Sequence, residues 1–330
     1  MQHKNAMRLT IQAMFITFCN RHHGSAARMR RWVLAALAFA ALATAGLSHA
    51  AAADLHSAAG LRQAADGMKE AMSRNGFKSP ISLTSSETGS GGVQGDIYAE
   101  VAWPFEAVSR ALAEPSRWCE VMMPHINTKR CRVTGSAASP VLALSIVRKY
   151  DQPVDKAFEL EFAWRLVART ADYLEVTLGA AKGPLGTGNY RILLEATPLA
   201  DGRSLLHFSY AYDSNMLARM ATQAYLATFG SGKVGFTVIG QRPDGRPEYI
   251  RGMRGLVERN AMRYFVAIDA WFEAASAPAA MQYDRRLQSW FSGIEKYPLQ
   301  LHEIDRDSYL AVKRADRPAE FNRNSPAAAE

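Results

Sequence analysis

Cysteine is scarce in this chain: three among 330 residues, at positions 19, 119 and 131. That excludes a disulfide-dense scaffold, and no pair of cysteines has zinc-finger spacing. Beyond residue 50 histidine is nearly as sparse, with His56, His125, His207 and His302 and no two at metal-ligand spacing. Neither a metal site nor a cofactor is expected. No nucleotide motif is complete either. Gly230-Ser231-Gly232-Lys233 has Ala at 227 and Val at 234, where a phosphate loop needs Gly and Ser or Thr, and Gly186-Thr187-Gly188 is followed by Arg191 at the third glycine of a dinucleotide loop. Both read as ordinary turns. After residue 50 no apolar run is long enough to span a bilayer, and no internal repeat occurs.

Acidic residues are missing from the first fifty positions, which hold Lys4, Arg8, Arg21, Arg28, Arg30 and Arg31. The apolar run Trp32 to Leu47 follows Arg30-Arg31 and ends in Ser48-His49-Ala50. A basic start, an apolar middle and small residues before the junction make residues 29–50 a secretory signal peptide, with cleavage expected after Ala50. The competing reading is a membrane anchor, but a run of about 16 residues falls short of the roughly 20 a spanning helix needs. Residues 1–28 are unusual in front of a signal and are read as a non-native upstream extension, with Met29 as the start. Without the six basic residues the net charge drops from +8 to +2. A chain so nearly balanced is not expected to bind nucleic acid. The expected location is periplasmic or secreted, as a soluble chain of 280 residues.

Residues 51–93 are rich in Ala, Ser and Gly, with one weak helical pattern through Leu61, Ala65, Met68 and Met72, and read as a flexible or weakly helical arm ending in Gly89-Ser90-Gly91-Gly92. Ile97, Ala99, Val101 and Trp103 then alternate as a half-buried strand that Pro104 stops, and Phe105 to Leu112 reads as a helix bounded by Pro115. The clearest strand has Phe158, Leu160, Phe162, Trp164 and Leu166 on one side and Glu159, Glu161, Ala163 and Arg165 on the other. Leu142 to Tyr150, Tyr173 to Ala180, Gly188 to Ala196 and Ser204 to Tyr212 supply further strands with short turns between them, which implies an antiparallel meander. Met253, Leu256, Val257, Tyr264, Phe265, Ile268 and Phe272 recur at helical spacing, so this long helix is the natural cover for the apolar face of the sheet. Leu287, Trp290, Phe291, Ile294 and Tyr297 give another amphipathic helix. Asp305 to Lys313 reads as a short third one, and a disordered tail is expected over 317–330. The main domain is thus placed at 94–275 and a helical C-terminal extension at 276–316.

This order of elements, over about Gly95 to Ala274, resembles the helix-grip fold of the START-like superfamily, which includes lipid-transfer domains, Bet v 1 allergens and polyketide cyclases. Trp118-Cys119 followed by His125-Ile126-Asn127-Thr128-Lys129-Arg130-Cys131 is similar to a pattern in uncharacterised exported bacterial members. The resemblance implies an α+β fold, with a curved antiparallel sheet wrapped around a long C-terminal helix. It also implies an apolar or amphipathic ligand, such as a lipid, held between sheet and helix by Leu160, Phe162, Trp164, Tyr210, Leu256, Tyr264, Phe265 and Ile268. Tyr190, Tyr210, Tyr212 and Tyr264 each offer an apolar ring with a polar tip; they read either as lining for that ligand or as plain core. Fold alone does not choose among carrier, enzyme and regulator.

Cys119 and Cys131 survive removal of the signal and flank a short loop, which in an oxidising compartment favours a disulfide; two separate buried thiols are the alternative. His125, Asn127 and Lys129 lie within that loop as a candidate polar mouth for a carboxylate or phosphate head group, or else as an exposed loop with Asn127 bonding its own backbone. His207, Asp213 and Arg191 are acid-base candidates for a cyclase or dehydratase, but no nucleophile, base and orienting partner emerge together, so no catalytic residue is assigned. Trp290-Phe291 reads as a membrane- or partner-binding patch, compatible with transient membrane contact, or as a cover for the domain's edge. A ligand binder requires a largely apolar cavity of about 300 Å³. An enzyme requires an acid-base pair in the same cavity. An envelope scaffold would bind a protein partner through the C-terminal helices, and deleting Leu287 to Lys313 would then leave the meander folded.

Overall fold

The computed structural model describes residues 56–77, 79–228 and 230–324. The expected signal peptide, its upstream residues and its cleavage site lie outside the described residues. The strands are β1 (Ile81–Glu87), β2 (Gly92–Val101), β3 (Thr128–Ser136), β4 (Ser139–Ile146), β5 (Phe158–Arg169), β6 (Leu174–Lys182), β7 (Thr187–Pro198) and β8 (Ser204–Ser214). They form one antiparallel sheet in the order β1-β2-β8-β7-β6-β5-β4-β3. Two short helices, α2 (Phe105–Leu112) and α3 (Pro115–Met122), separate β2 from the meander. Pro115 opens α3, where its missing N–H costs nothing, and the Trp118 indole donates to Leu112 O at 2.8 Å to tie α3 to α2.

The long helix α5 (Gly252–Ala275) lies against one face of this sheet, mainly over β2, β1 and β8. Its close approach depends on Gly95 of β2, where a Cβ would sit 3.3 Å from the Ala261 Cβ and 3.3 Å from Val257 O. The face toward α5 carries Ile97, Ala99, Phe208, Leu194, Val176, Leu142 and Leu144 in one continuous core. This is the α+β helix-grip arrangement expected from the order of elements. Two pieces lie between β8 and α5: helix α4 (Met216–Ala227), none of whose residues is buried, and a hairpin of β9 (Val238–Gln241) and β10 (Pro247–Tyr249).

The N-terminal arm differs from the expectation. Helix α1 (Ala58–Ser73) starts at Ser57, whose hydroxyl accepts from Gly60 N at 3.0 Å, and β1 pairs residue by residue with β2. Gly89 to Gly92 is therefore a hairpin turn inside the sheet rather than a joint before it. Helix α1 packs on the opposite face from α5, through Leu61, Met72, Tyr173 and Leu205. The sheet is covered on both sides.

The C-terminal helices α6 (Ala279–Ile294), α7 (Pro298–Leu301) and α8 (Arg306–Asn324) also belong to the main core. Leu287, Trp290 and Tyr309 are almost fully buried, and the Tyr309 hydroxyl donates to Pro124 O at 2.7 Å. Lys313 is enclosed, bonding Thr128 O and, at 3.1 Å, Asp316. Trp290 and Phe291 thus cover an edge instead of forming an exposed patch, and α8 runs through positions 317–324 where a disordered tail is expected.

Candidate functional site

On the inner face, cross-strand register lines up Gly95, Tyr210, Ile192, Leu178 and Trp164 across five strands. The next row brings Tyr212 and, beyond a bulge in β7, Tyr190 alongside Ala180 and Phe162. From the helix side Tyr264 meets Tyr210, with ring centroids 5.4 Å apart. Tyr190 stacks on Tyr212 at 5.4 Å and meets Phe162 edge-on at 6.0 Å. The result is one aromatic cluster built from β5, β7, β8 and α5. Trp164, Tyr190 and Tyr210 keep 8%, 8% and 7% of their surface accessible, whereas Leu178 and Phe208 beside them keep 1% each. The rings are thus sealed slightly less completely than the aliphatic and phenyl groups beside them.

Polar tips within this cluster are left without partners. The Trp164 Nε1 donor is buried and unpaired, and the hydroxyls of Tyr210, Tyr212 and Tyr264 have no hydrogen-bond partner among the described residues. Only the Tyr190 hydroxyl is satisfied, donating to Thr187 Oγ1 at 2.8 Å. Burial pushes the phenols of Tyr210, Tyr212 and Tyr264 upward, so they stay neutral and offer hydrogen-bond donors rather than bases.

Leu160 joins this face. Ile268 packs in the core, while Phe265 turns to a groove between α5 and α6. Leu256 does not join the cluster; it is half-buried, and its neighbour Val257 makes the approach to the sheet. The candidate polar mouth does not assemble as a mouth. His125 stacks on Tyr264 at 5.4 Å, and burial, with Arg263 and Lys313 nearby, pushes its imidazole down to about 3. Asn127 donates to Val147 O at 2.7 Å and pins the loop to the end of β4. Lys129 is buried against Asp316 at 3.4 Å. Cys119 and Cys131 form a disulfide that joins α3 to edge strand β3.

Two concavities lie away from the rings. One of 320 Å³ sits between the end of β2, α5 and α6, with Asp269, Glu273, Lys296 and Tyr297 among its walls. The other, 580 Å³, opens on the outer face of the sheet and includes His56, Gln94, Arg165, Glu175, Thr177 and Arg191.

Sequence patterns gave no warning of the polar row on that outer face. Tyr98, His207, Glu195 and Glu175 are successive cross-strand neighbours on β2, β8, β7 and β6. The His207 ring lies flat on Tyr98 at 4.1 Å, with Nδ1 2.7 Å from Glu195 Oε2 and Nε2 3.1 Å from Asp96 Oδ1. Burial alone would lower the His207 pKa, but the two carboxylates win and raise it, while both carboxylates are themselves lowered. His207, one of the acid-base candidates from the sequence, is buried between two acids. The Asp201-Gly202 turn, with Gly202 at φ 83°, fixes the pairing of Glu195 with His207; counting back from that turn would have found it. Three metal-type donors also converge here, from His56, Glu175 and Glu195, all within 4.8 Å of one another.

No protein-family model and no curated protein matches this chain. Among solved structures, norcoclaurine synthase from Thalictrum flavum is similar over 46% of this chain and 81% of its own, at 12% identity and a TM-score of 0.30. Human StAR-related lipid transfer protein 5 is similar over 47% of this chain and 82% of its own, at 11% identity and 0.27. The di-domain ARO/CYC StfQ from the steffimycin biosynthetic pathway is similar over 63% of this chain and 52% of its own, at 12% identity and 0.31. Scores of this size are too low to argue from. The helix-grip fold rests on the strand order and the seat of α5.

Proposed function

We propose that the chain is an exported START-like protein that binds or ferries a lipid or another hydrophobic small molecule against the inner face of its sheet. The observation that carries this reading is the buried, unpaired Trp164 Nε1 beside the hydroxyls of Tyr210, Tyr212 and Tyr264, which have no protein hydrogen-bond partner among the described residues. A closed core pairs nearly all its buried donors, because each one left unmade costs about 1–3 kcal/mol. Rings that supply an apolar wall and keep donors in reserve suit a ligand with an apolar body and one or more acceptor oxygens. The hydrogen-bonded pair of His207 with Glu195 lies on the outer face and not at the rings, which favours binding over cyclase or dehydratase chemistry there. Export is part of the proposal, supported by the signal-like segment and by a disulfide suited to an oxidising compartment.

The test is native mass spectrometry with lipid extraction on protein purified from the periplasm of an expressing cell. A reproducible added mass that solvent extraction removes, and that rebinds in a saturable way, is the expected result. An apo mass, together with no saturable binding of a fluorescent acyl probe, would overturn the reading.

A further inference from the structure

We propose that His56, Glu175 and Glu195 form a binding site for a divalent transition-metal ion of the zinc type on the outer face of the sheet. Glu175 and Glu195 are directly opposite each other on β6 and β7, and both are buried. Like charges in that register repel, and burial strengthens the repulsion, so positive charge between or beside the pair stabilises it. One half of the problem is met by His207, which takes Glu195 Oε2. That contact turns Glu195 Oε1 toward Glu175 and His56.

The donor geometry is that of a coordination shell. His56 Nδ1 lies 3.3 Å from Glu195 Oε1 and 3.8 Å from Glu175 Oε2. Tetrahedral ligands about 2.1 Å from a zinc ion are separated by about 3.4 Å, so a small inward movement closes the shell. A nitrogen and two carboxylate oxygens are a donor set that such ions accept. The carboxylates are held in place by strands. Asp96 and His207 back Glu195 from behind, the kind of outer support that orients a metal ligand. His56, by contrast, is exposed and stands one residue before Ser57, the cap of α1. The 580 Å³ concavity reaches both His56 and Glu175, giving the ion a route in and leaving room for water or an anionic fourth ligand beside Arg165 and Arg191. An ion held here would staple the start of α1 to the middle of the sheet. The Tyr173 hydroxyl, 2.5 Å from Glu195 Oε1 and 3.2 Å from Glu175 Oε2, holds the two acids in its absence. It has one proton for two acceptors, so it satisfies only one of them at a time.

The experiment is titration calorimetry of ZnCl₂ into untagged, chelator-stripped protein, paired with the visible absorption spectrum of the Co²⁺ form. One ion per chain is expected, with a low-symmetry Co²⁺ spectrum and a rise in Tm on zinc addition. His56→Ala and Glu175→Gln are each expected to weaken binding about tenfold or more. The exposed control His302→Ala should leave it unchanged. Because the His56 side chain is 57% exposed, its removal does not threaten folding, so that variant remains interpretable even if Glu175→Gln is unstable. Absence of saturable one-to-one binding, or binding of undiminished affinity in His56→Ala, would overturn the proposal.

Discussion

Replacing both Cys119 and Cys131 by Ala tests how much of the sheet's open edge is held by covalent linkage. Strand β3 has a neighbour on one side only, β4, and its other restraints are α3 and α8 packed against it. The disulfide spans 12 residues, and closing a loop of that length removes about 9.5 cal/mol/K of chain entropy from the unfolded state, or about 3 kcal/mol at 25 °C. For a chain of this size each kcal/mol moves Tm by roughly 2–4 °C, so the double variant should melt about 6–12 °C below the wild type. Both sulfurs are buried, so replacement by Ala avoids leaving a buried hydroxyl, as Ser would. The assay is thermal unfolding followed by circular dichroism, with and without reductant. Wild-type protein should fall toward the variant's Tm on full reduction, and the variant should not respond. Equal melting of all four samples would refute the reasoning, because the linkage would then constrain nothing that unfolds.

Tyr210→Phe removes one unpaired donor from the aromatic cluster; it should weaken the extracted ligand about threefold to tenfold by calorimetry while leaving Tm equal or higher, since no protein hydrogen bond is lost. A large loss of stability would show that the hydroxyl is paired within the protein. His125, held down to about 3 from an ordinary value of 6.5, binds its proton more weakly in the folded state. Its contribution is therefore complete above pH 6.5 and is lost as pH falls, by up to about 1.4 kcal/mol per pH unit. His125→Phe keeps the stack on Tyr264 and should flatten the urea-measured stability profile between pH 6.5 and 5; an unchanged slope would sink the assignment. Truncation after Pro278 exposes the partners of Leu287, Trp290 and Tyr309 and breaks the ion pairs of Arg259 and Arg263 with Glu303. It should yield aggregated or molten protein by gel filtration and near-UV circular dichroism, not the folded meander a detachable scaffold arm would leave.

The meander was legible because its inner face is apolar at period two: Leu160, Phe162 and Trp164 alternate with charged or small residues, and each short turn then fixes the next strand. The cover helix was legible for the same reason at period 3.6. Strand β1 was not, because Ser82, Thr84, Ser85 and Ser86 carry no hydrophobic signal, and its place is set by pairing with β2. Strand β3 was hidden likewise by Lys129, Arg130 and Arg132, whose charges suggest a loop until α8 supplies Asp316 for Lys129. Within the aromatic cluster, Tyr210 and Trp164 are brought into one row by register over two intervening strands, which no local window contains. Leu256 shows the limit of the helical stripe: the turn that meets Gly95 is centred on Val257 and Ala261, one step round the helix.

The two faces of the sheet pose opposite electrostatic problems, and the chain solves them with different chemistry. Around the aromatic cluster on the α5 side the polar groups are phenols and one indole, groups that remain neutral when buried and can wait for an acceptor at a cost of a few kcal/mol, while the buried Glu258 of α5 is satisfied by Ser85, Phe236 N and Thr237. Under α1 the row is charged, and buried carboxylates cannot wait in that way: Asp96, Glu175 and Glu195 need positive charge in the folded protein itself. His207 supplies one, locked flat between Tyr98 and two acids. Among the described residues, Glu175 and the second oxygen of Glu195 share only the Tyr173 hydroxyl and His56, where the N-terminal arm crosses the sheet. A cation at this point would add to the apolar packing that holds α1 on the sheet, while occupancy of the inner face turns on an acceptor. The two sites share β7 and β8 but use alternate residues of them, so a ligand on one side and an ion on the other can bind without competing for a single side chain.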